Sequence, residues 1–245
     1  MSGLYLYQTI HLNHGHARQV EAHAAVLDAA SRKLFGRRYT PNIHQLTTRI
    51  EALATAEHYP QSVSGFVRIE LLLDGSERLQ PAGVSLYDGY ALRSVQPTAI
   101  SVEYDLSDEA PTSAREAAAQ LARQQAAMLG ADVALRCDRS GVARTADDAP
   151  LFAVRGTTLI TSPTVASVER NLGLEALQKA GLTWIEHPID RAGLSLFDEL
   201  FYVDHRGVTV LSRCDGHPLM ALIAERVAHA MEENFRTTTN FLQIK

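Results

Sequence analysis

The first hundred residues alternate between strand-like and helix-like patterns of hydrophobic and polar positions. The segment from Leu4 to Leu12 is rich in Tyr, Leu, Ile and Thr, which predicts a strand, and Asn and Gly within 13–16 predict a turn. Apolar residues recur at helical spacing from Val20 to Leu34. A second helix is predicted to open at Thr40 and Pro41, residues typical of a helix N-terminus. Further strands are predicted at Phe66–Leu73, Gly83–Leu92 and Ala99–Tyr104.

The rest of the chain predicts a second, larger domain. A polar stretch at 107–111 is interpreted as a linker between a small N-terminal α+β domain at 1–106 and a larger C-terminal domain at 112–245. An Ala-rich helix is predicted from Ala114 to Leu129, and Ser113 and Glu116 have the spacing of a capping box. Short strands follow it, together with helices predicted at 164–180 and 219–235.

Composition and charge argue against several classes of function. The 245 residues include 23 Lys+Arg against 28 Asp+Glu, a net charge of -5, whereas sequence-independent nucleic-acid binding needs clustered positive charge. No apolar run reaches the roughly 18 residues of a transmembrane helix, and the first residues lack a signal-peptide pattern. Cys137 and Cys214 are too few for a disulfide framework or a zinc site. We therefore expect a cytoplasmic protein without nucleic-acid or membrane partners.

Several short motifs occur in a fixed order along the chain. They are Tyr7-Gln-Thr-Ile, His23-Ala-Ala-Val-Leu, Gly130-Ala-Asp-Val-Ala-Leu, Pro150-Leu-Phe-Ala-Val and Cys214-Asp-Gly-His-Pro. In order and spacing they resemble the motifs of class IV aminotransferases, a family that includes branched-chain and D-amino-acid aminotransferases and aminodeoxychorismate lyase. The resemblance covers most of the chain. It implies an α/β (α+β) fold of the type called PLP fold type IV, after pyridoxal phosphate (PLP), and a homodimer.

The resemblance also implies a PLP site, at which a lysine forms a Schiff base with the cofactor. That lysine position falls near Thr112, and a shifted alignment gives Arg115; neither residue forms an aldimine. The family's glutamate, which keeps the pyridine nitrogen protonated, falls on Thr145, although Asp147 and Asp148 are close in sequence.

The positions that hold the cofactor's phosphate in the family differ as well. The family's arginine falls on Val26, its phosphate-cupping turn falls on 167–173 without matching glycines, and its third loop falls near Asp204, whose charge would repel a phosphate. The chain has three lysines, Lys33, Lys179 and Lys245, none of them near Thr112 in sequence. We therefore expect a PLP-independent pseudoenzyme that takes no cofactor.

The former cofactor pocket supplies the candidate binding residues. By the resemblance, Tyr7, Arg68, Tyr104 and Arg115 are expected to line it, and arginines there favour a small carboxylate ligand. A metal site is not expected, although His11, His14, His16 and His23 are close in sequence, because a predicted turn exposes the middle pair.

Three functions remain open from the sequence. The preferred one is a degenerate relative that binds a small anionic metabolite or has a non-catalytic role. The second is an active PLP-dependent aminotransferase or aminodeoxychorismate lyase whose lysine lies elsewhere. The third is an enzyme that uses the same pocket for PLP-independent chemistry on a chorismate-like or amino-acid-like carboxylate.

Overall fold

The chain forms two compact units of mixed α and β structure. The structure, a computed structural model, describes residues 3–93, 96–106, 109–163 and 167–242, and it describes side chains (that of Ala91 excepted) as far as residue 233. The smaller unit contains the described residues up to Gly89, together with 109–114 and 167–168. The larger unit contains the others.

The domain boundaries expected from the sequence, 1–106 and 112–245, remain predictions. By their contacts, residues 90–106 group with the larger unit and residues 109–114 with the smaller one. In the linker expected at 107–111, Ser107 and Asp108 lie outside the described residues.

The smaller unit is an antiparallel four-stranded sheet with two helices packed against it. The sheet order is β2-β1-β3-β4, and β1 pairs along its length with β3. Alternate residues of β1 point to the core, where Leu6 and Ile10 pack with Leu27, Ile50 and Ile69, all fully buried. Burying each such side chain contributes about 1.5–3 kcal/mol. The elements are β1 (Tyr5–Asn13), β2 (His16–Ala17), α1 (Val20–Phe35), α2 (Ile43–Ala56), β3 (Gly65–Leu72) and β4 (Glu77–Val84).

The second helix begins later than the sequence predicted. Thr40 and Pro41 precede the helix, which begins at Ile43. Asn42 is the N-cap residue, and its side chain accepts a hydrogen bond of 3.0 Å from the backbone N–H of Gln45. The asparagine satisfies a donor that the first turn of a helix cannot satisfy itself, which is why the helix begins after it.

A return of the chain completes the edge of this sheet beside β1. The backbone N–H of Tyr7 donates to the carbonyl of Pro111 at 2.9 Å, and Leu6 forms an isolated bridge with Thr112. The hydroxyl of Ser113, the residue predicted to open a capping box, accepts a hydrogen bond of 3.3 Å from the Tyr5 backbone N–H. Residues 109–114 therefore contact the edge of β1, and the last two of them are the first residues of the helix Ser113–Met128.

The larger unit is built on one twelve-stranded mixed sheet. Nine strands follow the order β16-β15-β6-β7-β8-β9-β13-β14-β5; of the other three, β10 pairs with β9, β11 pairs with β10, and β12 pairs with β8. The elements are β5 (Ala91–Leu92), β6 (Thr98–Glu103), α3 (Ser113–Met128), β7 (Val133–Cys137), β8 (Val142–Ala146), β9 (Ala149–Arg155), β10 (Thr158–Thr161), α4 (Val168–Lys179), β11 (Trp184–Glu186), β12 (Ile189–Asp190), a 3-10 helix (Arg191–Leu196), β13 (Glu199–Asp204), β14 (Gly207–Val210), β15 (Arg213–Cys214), β16 (His217–Pro218) and α5 (Leu222–Leu242).

Two stacked phenylalanines lie at the centre of the larger unit's core. Phe152 on β9 and Phe201 on β13 are cross-strand partners, and their rings are 5.2 Å apart and nearly parallel. Helix α4 packs closely here because Gly173 has no side chain: a Cβ atom at that residue would lie 2.9 Å from the Phe152 ring. Within the described residues, no helix has both the length and the apolar character needed to cross a bilayer.

Candidate functional site

A fixed arginine lies on one face of the small sheet. Arg68 on β3 has its guanidinium carbon 4.0 Å from the ring centre of Tyr7 and 5.6 Å from that of Tyr5. Tyr5 and Tyr7 share a face because they alternate along β1. The Arg68 side chain is 18% exposed, and its Nε lies 3.4 Å from Glu70. The rings and the carboxylate together restrict the guanidinium to one position.

Glu70 is shared between two arginines. Its other oxygen accepts a hydrogen bond of 2.7 Å from Nε of Arg78 on β4, and the Glu70 side chain is buried. Two guanidinium groups therefore contact one carboxylate. Arginine side chains suit a carboxylate ligand, which they can bind through two parallel hydrogen bonds.

A second arginine, Arg115, is anchored in the larger unit. It lies in the first turn of α3 and is 11% exposed. Its Nε is 2.5 Å from Asp148 Oδ1, and one terminal nitrogen donates to the Asp148 carbonyl at 2.9 Å. Asp148 belongs to the two-residue turn that joins β8 to β9. Side chain and main chain of the same residue thus hold this arginine.

The β8–β9 turn is itself fixed by contacts around Asp147. Asp147 has a positive φ of 49°, and it exchanges two hydrogen bonds with Ala134: its N–H donates at 2.7 Å and its carboxylate accepts at 3.0 Å. The carboxylate also accepts from Nε of Arg123 at 2.9 Å. Burial raises the pKa of Asp147, while the contacts from Ala134 and Arg123 act in the opposite direction.

A fully buried arginine on β7 donates a hydrogen bond to the β8–β9 turn. Arg136 on β7 is 1% exposed, and its Nε donates to Thr145 Oγ1 at 3.0 Å and to the Asp147 carbonyl at 2.8 Å. The Thr145 hydroxyl donates to the same carbonyl at 3.0 Å. Sequence reasoning did not select Arg136 as functional. The signal was there: it is the one basic residue within the apolar run from Val133 to Cys137.

Acidic side chains mark the ends of α4 and β13. Asp204 lies 3.6 Å from Arg93 and accepts a hydrogen bond from the Arg206 backbone. Burial raises the pKa of Glu169, in the first turn of α4, to about 7; the Asp204 carboxylate adds to this rise and Arg115 opposes it. Burial lowers the pKa of His205. Glu169 was not identified from the sequence, because nothing in its local pattern shows burial.

The structure places the sequence-predicted residues in two groups. The smaller unit contains Tyr7, Arg68, Val26 and Thr112. The larger unit contains Tyr104, Arg115, Thr145 and Asp204. The structure brings Tyr7 and Arg68 into contact, as described above. Tyr104 is half-buried after β6, where it packs against apolar residues. The joint pocket of Tyr7, Arg68, Tyr104 and Arg115 stays a prediction.

The histidines of the N-terminal cluster have separate partners. His11 is buried and lies 2.6 Å from Ser64 Oγ, and His23 is buried and lies 2.8 Å from Gln8. His14 contacts Asp88 at 3.1 Å, and His16 contacts Glu51 at 3.4 Å. Among the described residues, no group of three or more His, Cys, Asp or Glu is arranged to hold a metal ion.

Neither described lysine lies in these charged groups. Lys33 is in the last turn of α1, and it is exposed. Lys179 is in the last turn of α4, and its Nζ lies 3.7 Å from Glu233. Lys245 lies outside the described residues. The two cysteines are buried, which raises the pKa of Cys137 to about 11 and that of Cys214 to about 12, so both are thiols at neutral pH.

Comparison with known proteins identifies the fold. A family model described as amino-transferase class IV matches residues 5–204. No curated protein matches the chain in sequence. A branched-chain aminotransferase from Thermoproteus uzoniensis, solved with norvaline, has a TM-score of 0.77 and 17% identity, with 93% of this chain and 84% of that chain covered.

Two further solved structures are similar. An aminotransferase from Brucella abortus bound to PLP has a TM-score of 0.75 and 17% identity, and the match covers 92% of this chain and 87% of that chain. A putative 4-amino-4-deoxychorismate lyase from Legionella pneumophila has a TM-score of 0.73 and 16% identity, and the match covers 91% of this chain and 88% of that chain. These similarities confirm the predicted α/β (α+β) architecture of PLP fold type IV.

The prediction that the chain takes no cofactor is wrong. The matched family is that of the class IV aminotransferases, and the similar Brucella abortus structure is bound to PLP. Both findings point to PLP as the cofactor. The prediction failed because it inferred the absence of a whole ligand from four side chains.

The side chains at the predicted cofactor positions nevertheless do not fit a covalently held PLP. Thr112 has a hydroxyl group and no amine, and Val26 has no charge. The Thr145 hydroxyl donates to a backbone carbonyl, and Asp204 would place a negative charge against the phosphate. The loss of the family's lysine at Thr112 stays a prediction.

The assignment of the chain to a family does not depend on those four residues. The family model spans most of the chain, and the similar structures share its order of strands and helices over more than nine-tenths of its length. The chain belongs to the class IV aminotransferase family.

Proposed function

We propose that this class IV family member binds a small carboxylate metabolite, that Arg68 and Arg115 are each candidate residues for that binding, and that Thr112 stands where the family has its lysine. One observation carries the proposal. Arg68 is held against two tyrosine rings, and together with Arg78 it contacts a single carboxylate. A guanidinium that is already restricted suits a planar carboxylate, because little side-chain entropy is lost on binding.

The experiment measures the binding of succinate, a simple dicarboxylate probe, by thermal shift and isothermal titration calorimetry. We expect the unmodified protein to bind and Arg68→Ala to bind at least tenfold more weakly, because a charge-assisted hydrogen bond contributes about 1.5–3 kcal/mol. Arg115→Ala is tested in the same way. Arg49→Ala is the control, since it removes an exposed arginine of the same unit whose partner is Glu77. Unchanged binding in both arginine variants would exclude the proposed site.

An active PLP-dependent aminotransferase or lyase is the second candidate. The family and the PLP-bound Brucella abortus structure favour it. Purified protein is titrated with PLP, treated with borohydride and digested, and the peptides are searched for a pyridoxyl group on each of the three lysines. A modified lysine together with turnover of an amino acid would establish this candidate. PLP that binds and is then removed by dialysis after borohydride treatment supports the first proposal, in which Thr112 cannot form the covalent bond.

A third candidate, PLP-independent turnover of the bound carboxylate, is separated by assaying product formation on any ligand that binds. We also propose the family's homodimer as the assembly, which sedimentation equilibrium would measure. The expected cytoplasmic location and the absence of nucleic-acid partners stay predictions.

A further inference from the structure

The β8–β9 turn is held more tightly than a two-residue hairpin turn requires. Its first residue, Asp147, exchanges two hydrogen bonds with Ala134 on β7 and receives one from Arg123 on α3. Its carbonyl receives two more, from Arg136 and Thr145. A hairpin turn needs only the bonds of its own two strands. The additional contacts fix the turn relative to β7 and α3.

The second residue of the turn, Asp148, contacts Arg115 on α3. Asp148 directs its carboxylate to Nε of Arg115 at 2.5 Å, and its carbonyl accepts from the same guanidinium at 2.9 Å. The contact with the carboxylate is an ion pair without hydrogen-bond geometry, whereas the contact with the carbonyl is a hydrogen bond from one terminal nitrogen; together they restrict the position of the guanidinium. The Asp148 side chain is 32% exposed, so the pair is open to solvent on one side.

We propose that Asp148 is the positioning residue for ligand binding by Arg115, and that the Asp147 contacts keep Asp148 in place. The inference rests on the proposed function, because it requires Arg115 to bind the carboxylate. Arginine has several rotatable bonds, and an unrestrained side chain loses that freedom when a ligand binds. Because Asp148 already restricts the Arg115 side chain in the free protein, less conformational entropy is lost when the ligand binds.

Neutralising Asp148 would not test this cleanly, because removing a negative charge also makes the site more attractive to an anion. Asp148→Glu keeps the charge and moves the carboxylate by one methylene group, so it changes positioning alone. We expect the affinity for succinate to fall about three- to tenfold, the cost of restoring freedom to one long side chain. Asp138→Glu is the matched control, since Asp138 forms a similar pair with Arg144 in another turn of the same sheet.

A double-mutant cycle separates positioning from a general structural effect. If Asp148 acts through Arg115, adding Asp148→Glu to Arg115→Ala causes no further loss of affinity. A purely structural role would lower the affinity in both backgrounds. Succinate is used in every titration, and circular dichroism confirms that each variant is folded.

The outcomes distinguish the two proposals. Succinate binding that is weakened by Arg115→Ala and unchanged by Asp148→Glu would overturn the positioning role and leave the binding function intact. Binding that is unaffected by Arg115→Ala would overturn the role of Arg115 in the proposed function, and the positioning role with it. A loss in Asp138→Glu equal to that in Asp148→Glu would also overturn the inference.

Discussion

Replacing Gly173 by alanine sets two opposing effects against each other in the core of the larger unit. In an exposed helix, Gly→Ala stabilises by about 1 kcal/mol, because glycine loses more backbone freedom on folding. In α4 the new Cβ would lie 2.9 Å from Phe152 Cζ, 3.3 Å from its Cε2 and 3.4 Å from a methyl of Val203. A distance of 2.9 Å is shorter than a carbon–carbon contact allows, so the Phe152 ring or the helix backbone would have to move.

The neighbours of Gly173 leave little room for that movement. Phe152 and Val203 are fully buried, and the Phe152 ring is stacked on Phe201 at 5.2 Å. Overpacking a core by one methyl group typically costs about 1–3 kcal/mol. Subtracting the helix gain of about 1 kcal/mol leaves a net destabilisation of about 0–2 kcal/mol. At the middle of that range, about 1 kcal/mol, we expect Gly173→Ala to lower the Tm by about 2–4 °C, from the usual conversion for a chain of this size.

Differential scanning calorimetry on Gly173→Ala, Phe152→Leu and the double variant measures the effect and its cause. If the ring is the obstacle, the alanine costs less in the Phe152→Leu background, with a favourable coupling of about 1 kcal/mol. A Tm for Gly173→Ala equal to or above that of the unmodified protein would refute the reasoning. So would a cost that is the same in both backgrounds.

The remaining predictions concern a carboxylate and a helix cap. Because the folded-state pKa of Glu169 is raised from 4.5 to about 7, the folded state favours the protonated form, and stability is lost as the pH rises from about 4.5 to 7. In urea unfolding, Glu169→Gln should therefore have the same free energy of unfolding as the unmodified protein at pH 4.5, and a free energy higher by on the order of 1–3 kcal/mol at pH 8. Glu175 is exposed, so Glu175→Gln is the control and should show no such difference between the two pH values. Asn42→Ala should lower stability by about 1 kcal/mol and Asn42→Ser by less, measured by the same unfolding experiment; equal values would show that the Asn42 cap contributes nothing.

Much of the fold could be predicted from local patterns. The alternation in β1 and the apolar stripe of α1 are local signals, and the structure has both elements close to their predicted bounds. The start of α2 was misplaced because two capping patterns were in competition: Thr40 with Pro41, and Asn42. Both fit the sequence, and only the hydrogen bond from Gln45 to Asn42 decides between them.

The candidate site was harder to predict because its contacts are long-range. The contact of Arg115 with Asp148 joins residues 33 positions apart, and that of Arg123 with Asp147 joins residues 24 apart. Asp147 and Asp148 were noted only as near neighbours of Thr145, whereas their structural role depends on α3 and β7. Reasoning from single family positions also led to the wrong conclusion about the cofactor, since it inferred the absence of a whole ligand from four side chains.

The return of residues 109–114 to β1 has a consequence for the protein's synthesis. Tyr5 and Ser113, which are joined by a hydrogen bond, are 108 residues apart. At about 5–20 residues per second, a ribosome needs about 5–20 s to deliver the second partner after the first. During that interval one border of β1 has backbone donors and acceptors open to other nascent chains. A chaperone that covers this border of β1 during translation would therefore protect the N-terminal unit.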